Sequence, residues 1–220
     1  MKKMNGFTVA ELVIAIGLIG VIGTITLPML TNAPSKMQAG PTLSKAFNTL
    51  ENAGVNLLTK KDARTIFEAC DRTKDNMYSD RYFSCLNDNN ILKTTRIIHS
   101  IDGLPGARPC HKTSDGIFFC EKSAGSHYVG DTTSPFYYGR AIEFVIDTNG
   151  TKGPNKNAYD QFKVRIDFYG IPIAPGSRAY KEYFSKSKTW EETCNETEVT
   201  NKDNCAGAIV DNNWQVKYKL

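Results

Sequence analysis

Oxygen-bearing side chains gather in one stretch of the sequence, between two segments that alternate polar and apolar residues. Asp147 and Asn149 are followed by Gly150, and Asn155 and Asp160 come later in the same stretch. Hard cations prefer carboxylate and amide oxygens, and a glycine permits the sharp turn that brings such ligands together. The pattern predicts a calcium loop, although it lacks the bidentate glutamate of a complete one. The alternative is a loop ordered by Asn-Gly turn chemistry and side-chain-to-backbone hydrogen bonds.

The six cysteines form a second group that could do chemistry. In an exported protein an even number of cysteines indicates disulfides, and several connectivities are open. Pairing neighbours along the chain would close short loops, each worth about 2–4 kcal/mol. A zinc site is the alternative because two cysteines flank a histidine, but the sequence has no CxxC pair. We expect the sequential pairing Cys70–Cys85, Cys110–Cys120 and Cys194–Cys205.

Nothing in the sequence indicates catalysis or nucleic-acid binding. His99, His111 and His127 are scattered, and no nucleophile, phosphate loop or metal-ligand motif accompanies them. The 27 basic and 23 acidic residues give a net charge of +4 without a basic block, so the electrostatic signature of a nucleic-acid-binding protein is missing. We therefore expect neither an enzyme nor a nucleic-acid-binding protein.

Glu11 stands at the border of a long apolar segment. Residues 12–30 include no charged residue, and a helix of this length spans about 28 Å, close to the thickness of a bilayer core. Lys2 and Lys3 precede the segment and would remain on the cytoplasmic side. A plain membrane anchor does not explain Glu11, because a carboxylate beside an apolar helix is costly and usually functional. A cleaved secretory signal fits less well, since its apolar core is shorter.

The first residues of the chain resemble the N-terminus of type IV prepilins and type II secretion pseudopilins. The resemblance rests on Gly6, Phe7 and Glu11, which follow a short basic leader and precede the apolar segment. It implies that a prepilin peptidase cuts between Gly6 and Phe7 and methylates the new amine of Phe7. Gly20 and Pro28 also lie where many members of the family have a glycine and a proline.

The resemblance implies a structural subunit of a type IV pilus or a type II secretion pseudopilus. Such a subunit is a single-pass protein of the bacterial inner membrane before assembly, and then part of a periplasmic or cell-surface filament. Its implied partners are the prepilin peptidase, other pilin or pseudopilin subunits and, indirectly, an inner-membrane platform protein and an assembly ATPase. The alternative is a membrane-anchored exported binding protein that is never processed.

Assembly would depend on Phe7, Glu11 and Pro28. The Phe7 amine and the Glu11 carboxylate can neutralise each other in an apolar bundle, either within one subunit or between neighbours. Pro28 lacks an N–H and clashes with the preceding turn, so we expect the helix to loosen there.

The implied fold is α+β and pilin-like, with a long N-terminal helix whose apolar half is transmembrane and which packs on an antiparallel β-sheet head. Four parts follow: a leader at 1–6, a transmembrane or filament-core helix at 7–30, an amphipathic helix half at 31–58, and a disulfide-bonded globular head at 59–220. In the amphipathic half, apolar residues recur at helical spacing. They are Leu43, Ala46, Phe47, Leu50, Ala53 and Leu57.

Alternating polar and apolar residues predict strands at 141–147 and 162–168, and the sequence also predicts a short strand at 116–120 and a last strand at 214–218. Asp62 is expected to cap a short helix that reaches Cys70. The resemblance adds two expectations for the head. The last disulfide would be the C-terminal disulfide loop found in many pilins, and the loop after Asp147 would be the calcium loop found near the end of the sheet in some pseudopilins.

Overall fold

The structure, a computed structural model, describes residues 34–71, 79–104, 106–129, 139–183 and 187–218. The chain divides into two compact units, Met1–Ser35 and Lys36–Leu220. Nearly all of the first unit lies outside the described residues, including the predicted leader at 1–6 and the predicted apolar helix at 7–30. The second unit holds the amphipathic helix and the head.

Helix α1 runs from Pro34 to Lys61 and buries one face. The six residues of the predicted apolar face are all at most 7% exposed, whereas residues between them, such as Asn48 and Glu51, face solvent. The helix continues through Gly40 and Pro41 without a break. The helical spacing of the apolar residues therefore predicted this face correctly.

Six strands form one antiparallel sheet in which every strand pairs with its neighbours in sequence. Hydrophobic residues at alternate positions of β4 and β5, such as Phe144 and its partner Val164, are fully buried in the main core. The same core includes the apolar face of α1. The strands are β1 (Thr95–Ser100), β2 (Ala107–Lys112), β3 (Phe118–Val129), β4 (Gly139–Asp147), β5 (Gln161–Ile166) and β6 (Pro172–Ile173).

Five shorter α-helices and a 3-10 turn complete the described fold. Thr65 rather than Asp62 caps the first of them, because its hydroxyl accepts a hydrogen bond from the N–H of Glu68 at 3.2 Å. Asp62 instead has a φ of 49° just beyond α1. The helices are α2 (Ile66–Ala69), α3 (Ser79–Asp88), α4 (Arg178–Tyr183), α5 (Trp190–Thr193) and α6 (Cys205–Asp211), with the 3-10 turn at Lys202–Asn204.

The chain end at 214–218 is not a strand, contrary to the sequence prediction. Asn213 and Trp214 have φ values of 53° and 63°, which are incompatible with an extended strand. The Trp214 ring packs edge-on against Phe47 of α1, with ring centres 5.3 Å apart. Packing against the helix, rather than pairing with the sheet, therefore places this segment.

Two glycines allow α1 and the turn between β5 and β6 to meet backbone to backbone. A Cβ atom on Gly54 would lie 2.6 Å from the carbonyl oxygen of Gly170, and one on Gly170 would lie 2.7 Å from the Cα of Gly54. Gly170 also has a φ of 84°, which side chains disfavour. Neither position can carry a side chain without moving the helix from the sheet.

The fold-class prediction is wrong. The described chain is a mixed α/β protein with a six-stranded antiparallel sheet, and it has no long apolar helix. Among the helices of the described residues, none combines the length and apolar character needed to cross a bilayer. The reason lies in the sequence of α1, whose outer face carries lysine, asparagine and glutamate residues. The apolar half predicted for 7–30 falls outside the described residues.

Candidate functional site

The predicted calcium loop, residues 147–160, connects β4 to β5. Asp147 is the last residue of β4 and is fully buried. Its Oδ1 accepts hydrogen bonds from the N–H groups of Asn149 (3.2 Å) and Gly150 (2.7 Å). Its Oδ2 accepts one from Gln161 Nε2 (2.8 Å) and lies 3.0 Å from His99 Nε2. Both oxygens of Asp147 are thus engaged by nitrogen atoms.

Asp160 closes the other end of the loop and is also fully buried. Its Oδ1 accepts from the N–H of Lys156 at 2.6 Å. Its Oδ2 accepts from the N–H of Asn155 at 2.8 Å and from the Asn149 side chain at 3.0 Å. Burial raises the pKa of Asp160, with a further contribution from the Asp147 carboxylate, and the hydrogen bonds from Lys156 and Asn155 only partly offset this.

Two of the predicted ligands carry buried oxygens without a partner. The side-chain Oδ1 atoms of Asn149 and Asn155 are inaccessible to solvent and form no hydrogen bond. Leaving a buried acceptor unpaired costs about 1–3 kcal/mol. Both residues reach Asp160, Asn149 through its side-chain amide and Asn155 through its backbone. Amide and carboxylate oxygens are the ligands that hard cations prefer, so these two oxygens and the Asp160 carboxylate are of the right chemical type for such a site.

Three of the four predicted ligands, Asp160, Asn149 and Asn155, are joined by hydrogen bonds within the loop. The fourth, Asp147, uses its carboxylate for other contacts. Asn149 and Asn155 each offer an oxygen without a partner, whereas both oxygens of Asp160 already accept hydrogen bonds and would have to give up at least one of them to bind a cation. The Asp147 carboxylate orders the turn at Gly150 and holds His99 and Gln161. Within the described residues, no group of three or more His, Cys, Asp or Glu side chains could hold a metal ion.

His99 and Gln161 belong to this site but were not expected from the sequence. His99 lies in β1, 48 residues from Asp147, and is 8% exposed. Gln161 also donates to the carbonyl of Ser100 at 3.1 Å, so it ties the edge strand to the loop. Gln161 directly precedes a predicted strand, but His99 lies in β1, which the sequence did not predict, and pairing across such distances is not visible in a single sequence.

A second polar cluster joins α3 to the sheet. Asp80 Oδ1 accepts from Arg96 at 2.8 Å and lies 2.9 Å from His111 Nε2, and the other ring nitrogen of His111 lies 3.0 Å from the hydroxyl of Thr94. Burial lowers the pKa of His111 despite its bond to Asp80. Burial alone would raise the pKa of Asp80, but Arg96 and His111 outweigh it and the pKa lies below its ordinary value. The cluster fixes the start of α3 on β1 and β2.

The disulfides join neighbouring cysteines, as the sequence predicted. Their Cα atoms are 5.7 Å apart in the first, 4.0 Å in the second and 5.3 Å in the third. The second connects directly opposed residues of β2 and β3, which excludes the zinc alternative for those cysteines. The three bridges are Cys70–Cys85, Cys110–Cys120 and Cys194–Cys205.

The residues predicted to take part in processing and assembly, Gly6, Phe7, Glu11 and Pro28, lie outside the described residues. The sequence motif therefore remains the evidence for their roles. Compared with models of protein families, with curated proteins and with solved structures, the chain has no match.

Proposed function

We propose that this chain is a structural subunit of a type IV pilus or a type II secretion pseudopilus. The observation that carries the proposal is the N-terminal motif: Gly6 and Phe7 after a basic leader, Glu11 four residues beyond Phe7, and no charged residue at 12–30. A prepilin peptidase would hydrolyse the bond after Gly6 and methylate the Phe7 amine. An inner-membrane platform protein and an assembly ATPase would act on the processed subunit.

The chemistry of cleavage supports the proposal. Removal of the leader takes away Lys2 and Lys3, so that no lysine holds the mature end at the cytoplasmic face. It also creates an amine at Phe7 that can neutralise Glu11. A buried charge is tolerable when it is paired and costly when it is alone. The apolar segment can therefore serve first in the inner membrane and then among the same segments of other subunits.

The head is consistent with export. Disulfides persist in oxidising compartments such as the periplasm and are rare in the cytosol. All six cysteines are paired and none is free. A head that folds outside the cytoplasm, on a chain anchored by its N-terminal segment, would have this property.

Mass spectrometry of the N-terminus tests the proposal directly. We expect the chain from its native membrane to begin at a Phe7 that carries one methyl group. Gly6→Val should block cleavage because a branched side chain replaces the glycine at the cut bond, whereas Asn5→Val should be processed normally. An intact Met1 on the unmodified chain would refute the proposal and favour an unprocessed, membrane-anchored binding protein.

The charge pairing has its own test. Glu11→Val should leave the chain processed and inserted in the membrane but reduce the amount of filament sheared from cells, because the Phe7 amine loses its partner. Thr8→Val changes a neighbouring residue without removing a charge and is the matched control. Normal filaments from the Glu11 variant would contradict the role of this carboxylate in assembly.

We also propose that the 147–160 loop binds calcium through Asp160, Asn149 and Asn155. The two unpartnered amide oxygens support this, since a cation would pair with both and with the buried carboxylate. Calcium should raise the melting temperature of the purified chain relative to a chelator, and Asn149→Ala should weaken the shift. The same response to calcium in the variant, or no response in the parent, would leave a loop ordered by hydrogen bonds alone.

A further inference from the structure

The three disulfides differ in how far solvent reaches them. The four cysteines of the bridge between β2 and β3 and of the bridge nearest the C-terminus are 0% exposed. In the remaining bridge, Cys85 is 9% exposed and Cys70 is half-buried. Thiol–disulfide exchange begins when a thiolate attacks one sulfur of the bridge, so the thiolate must reach that sulfur. The Cys70–Cys85 bridge is therefore the one that the folded head leaves open to exchange.

A cavity of about 330 Å³ lies beside this bridge and is lined by both of its cysteines. The end of α1, the end of α2 and one face of α3 contribute to it through Lys61, Ala69 and Ser84. Its volume is about ten times the share of one water molecule in the liquid, which is enough for a cysteine side chain of another protein. The cavity gives a thiolate a path to the bridge.

The side chains around the cavity include two cations, Lys61 and Arg81, and two carboxylates, Asp71 and Asp88. Arg81 precedes Cys85 by four residues, so the two lie on the same face of α3. A neighbouring cation stabilises a thiolate. A negative charge that forms on Cys85 when the bridge opens would therefore have Arg81 and Lys61 as neighbours.

The Asn89 side chain points at one of the two sulfur atoms. Its Nδ2 donates to the Cys85 carbonyl at 2.9 Å and lies 3.8 Å from Cys85 Sγ, within reach of a hydrogen bond to sulfur. Such a bond strengthens as negative charge develops on the acceptor. Cys70 is the more exposed partner. These two features make Cys70 the sulfur that is attacked and Cys85 the sulfur that leaves.

The helices on both sides of the bridge are held by contacts that do not involve it. Phe83 and Leu86 of α3 are fully buried in the main core, and Asp80 anchors the start of that helix on β1 and β2. The N–H of Ile66 in α2 donates to the carbonyl of Phe168 at 2.9 Å. The bridge can therefore open while the head remains folded.

We propose that the Cys70–Cys85 bridge is a thiol–disulfide exchange site whose substrate is a dithiol protein. A thiolate of the dithiol bonds to Cys70 Sγ, the Cys70–Cys85 bond breaks, and Cys85 leaves as a thiolate. The second thiolate of the dithiol then attacks its own partner sulfur and releases Cys70. The dithiol loses two electrons and becomes a disulfide, and its two protons end on Cys70 and Cys85. The reverse steps form the bridge, and neither direction depends on the filament proposal.

Timed reduction of the folded, full-length chain in detergent micelles tests the site. Dithiothreitol is the dithiol probe, and samples are alkylated at intervals so that peptide mass spectrometry follows each cysteine. We expect Cys70 and Cys85 to be modified at least about tenfold faster than the other four, because buried bridges exchange only after local opening. Equal rates, or faster reduction of another bridge, would overturn the proposal.

The same reaction in urea separates the effect of the fold from that of the local sequence. Once the chain is unfolded, every bridge is exposed, and the three rates should fall within about threefold of one another. If Cys70–Cys85 kept its full advantage in the unfolded chain, the cavity would not be its cause and the proposal would fail.

A protein probe tests which sulfur is attacked. Thioredoxin whose second active-site cysteine is replaced by serine can form the mixed disulfide but cannot resolve it. We expect it to be trapped on the folded chain through Cys70, with Cys85 recovered as a free thiol. Trapping on Cys85, on another cysteine, or on none would overturn the assigned site.

Asn89→Ala tests the stabilisation of the leaving sulfur. The change removes the amide donor and widens the cavity, so a slower reaction cannot come from obstruction. We expect reduction of Cys70–Cys85 to slow by about threefold, while the two buried bridges, which report opening of the fold, keep their rates. Asn56→Ala removes an exposed asparagine of α1 away from the cavity and should change nothing. An unchanged or faster rate in Asn89→Ala would overturn the role of Cys85 as the leaving sulfur.

Discussion

Asp167 is a buried carboxylate whose replacement by asparagine should stabilise the fold at neutral pH relative to acidic pH. It follows β5, and its side chain is 1% exposed. Its Oδ1 accepts hydrogen bonds from the N–H groups of Tyr169 (2.9 Å) and Ile171 (2.8 Å), which close the turn to β6. Burial raises the pKa of Asp167 from 3.8 to about 6, against the opposing effect of these hydrogen bonds.

The size and sign of the effect follow from linkage. Between pH 3.8 and about pH 6, folded Asp167 retains a proton that the unfolded chain has lost, so the free energy of unfolding falls as the pH rises through this range. A difference of about 2 pKa units, at 1.36 kcal/mol per unit, corresponds to about 3 kcal/mol. An asparagine at this position would keep the Oδ1 acceptor and cannot ionise. The free energy of unfolding of Asp167→Asn relative to the parent should therefore be about 2.5 kcal/mol more favourable at pH 7.5 than at pH 4, where the unfolded carboxyl is already half ionised.

Urea unfolding of the compact unit Lys36–Leu220, with its disulfides intact, measures this difference at a series of pH values. Other titrating groups cancel because they are common to both proteins, and any penalty from the new amide N–H is the same at every pH. Asp88→Asn, which removes an exposed carboxylate, is the control and should follow the parent. A constant offset between Asp167→Asn and the parent from pH 4 to pH 7.5 would refute the reasoning.

Three further changes probe the packing and the crosslinks of the same unit by urea unfolding. Gly54→Ala should lower the free energy of unfolding by about 1–3 kcal/mol, because its Cβ would lie 2.6 Å from the carbonyl oxygen of Gly170. An unchanged midpoint of urea unfolding would mean that the helix and the turn can move apart without loss of stability. Leu50→Ala should cost about 2–5 kcal/mol, since Leu50 is fully buried, and a loss below about 1 kcal/mol would show that the core collapses around the gap. Replacing both Cys194 and Cys205 with serine should cost about 2–4 kcal/mol, and an effect near zero would show that the unfolded chain retains order there.

Helical and strand periodicity predicted the elements that bury one face against the main core. The apolar face of α1 and the alternation in β5 were visible because one face of each is buried and the other is more exposed. The alternation in β4 also marked the residues that face the main core, but its other face is buried as well, with Glu143, Val145 and Asp147 at most 6% exposed. Strands β1 and β2 were missed because their pattern is mixed: Ile98 is exposed, while the polar residues His99 and His111 are buried. Their burial is compensated by partners from distant parts of the chain, which local patterning does not reveal.

The sequence predicted which residues gather in the candidate site but not which hydrogen bonds they form. The loop after β4 does gather Asn149, Asn155 and Asp160, as the turn chemistry around Gly150 suggested. The Asp147 carboxylate instead contacts the side chains of His99 in β1 and Gln161 in β5. These contacts exist only in the assembled sheet, so the sequence of the loop alone could not predict them. The pairing of the cysteines was predictable because sequential pairing closes short loops.

The three disulfides also bear on how the head responds to force. They enclose sequence separations of 15, 10 and 11 residues, and an extended chain covers about 3.4 Å per residue. When the head is pulled from its ends, the bridges therefore keep about 110 Å of contour length closed that a reduced chain would release. A head with these bridges releases less chain when it unfolds under tension. A fibre of such heads would therefore lengthen less under the same force than a fibre of heads without bridges.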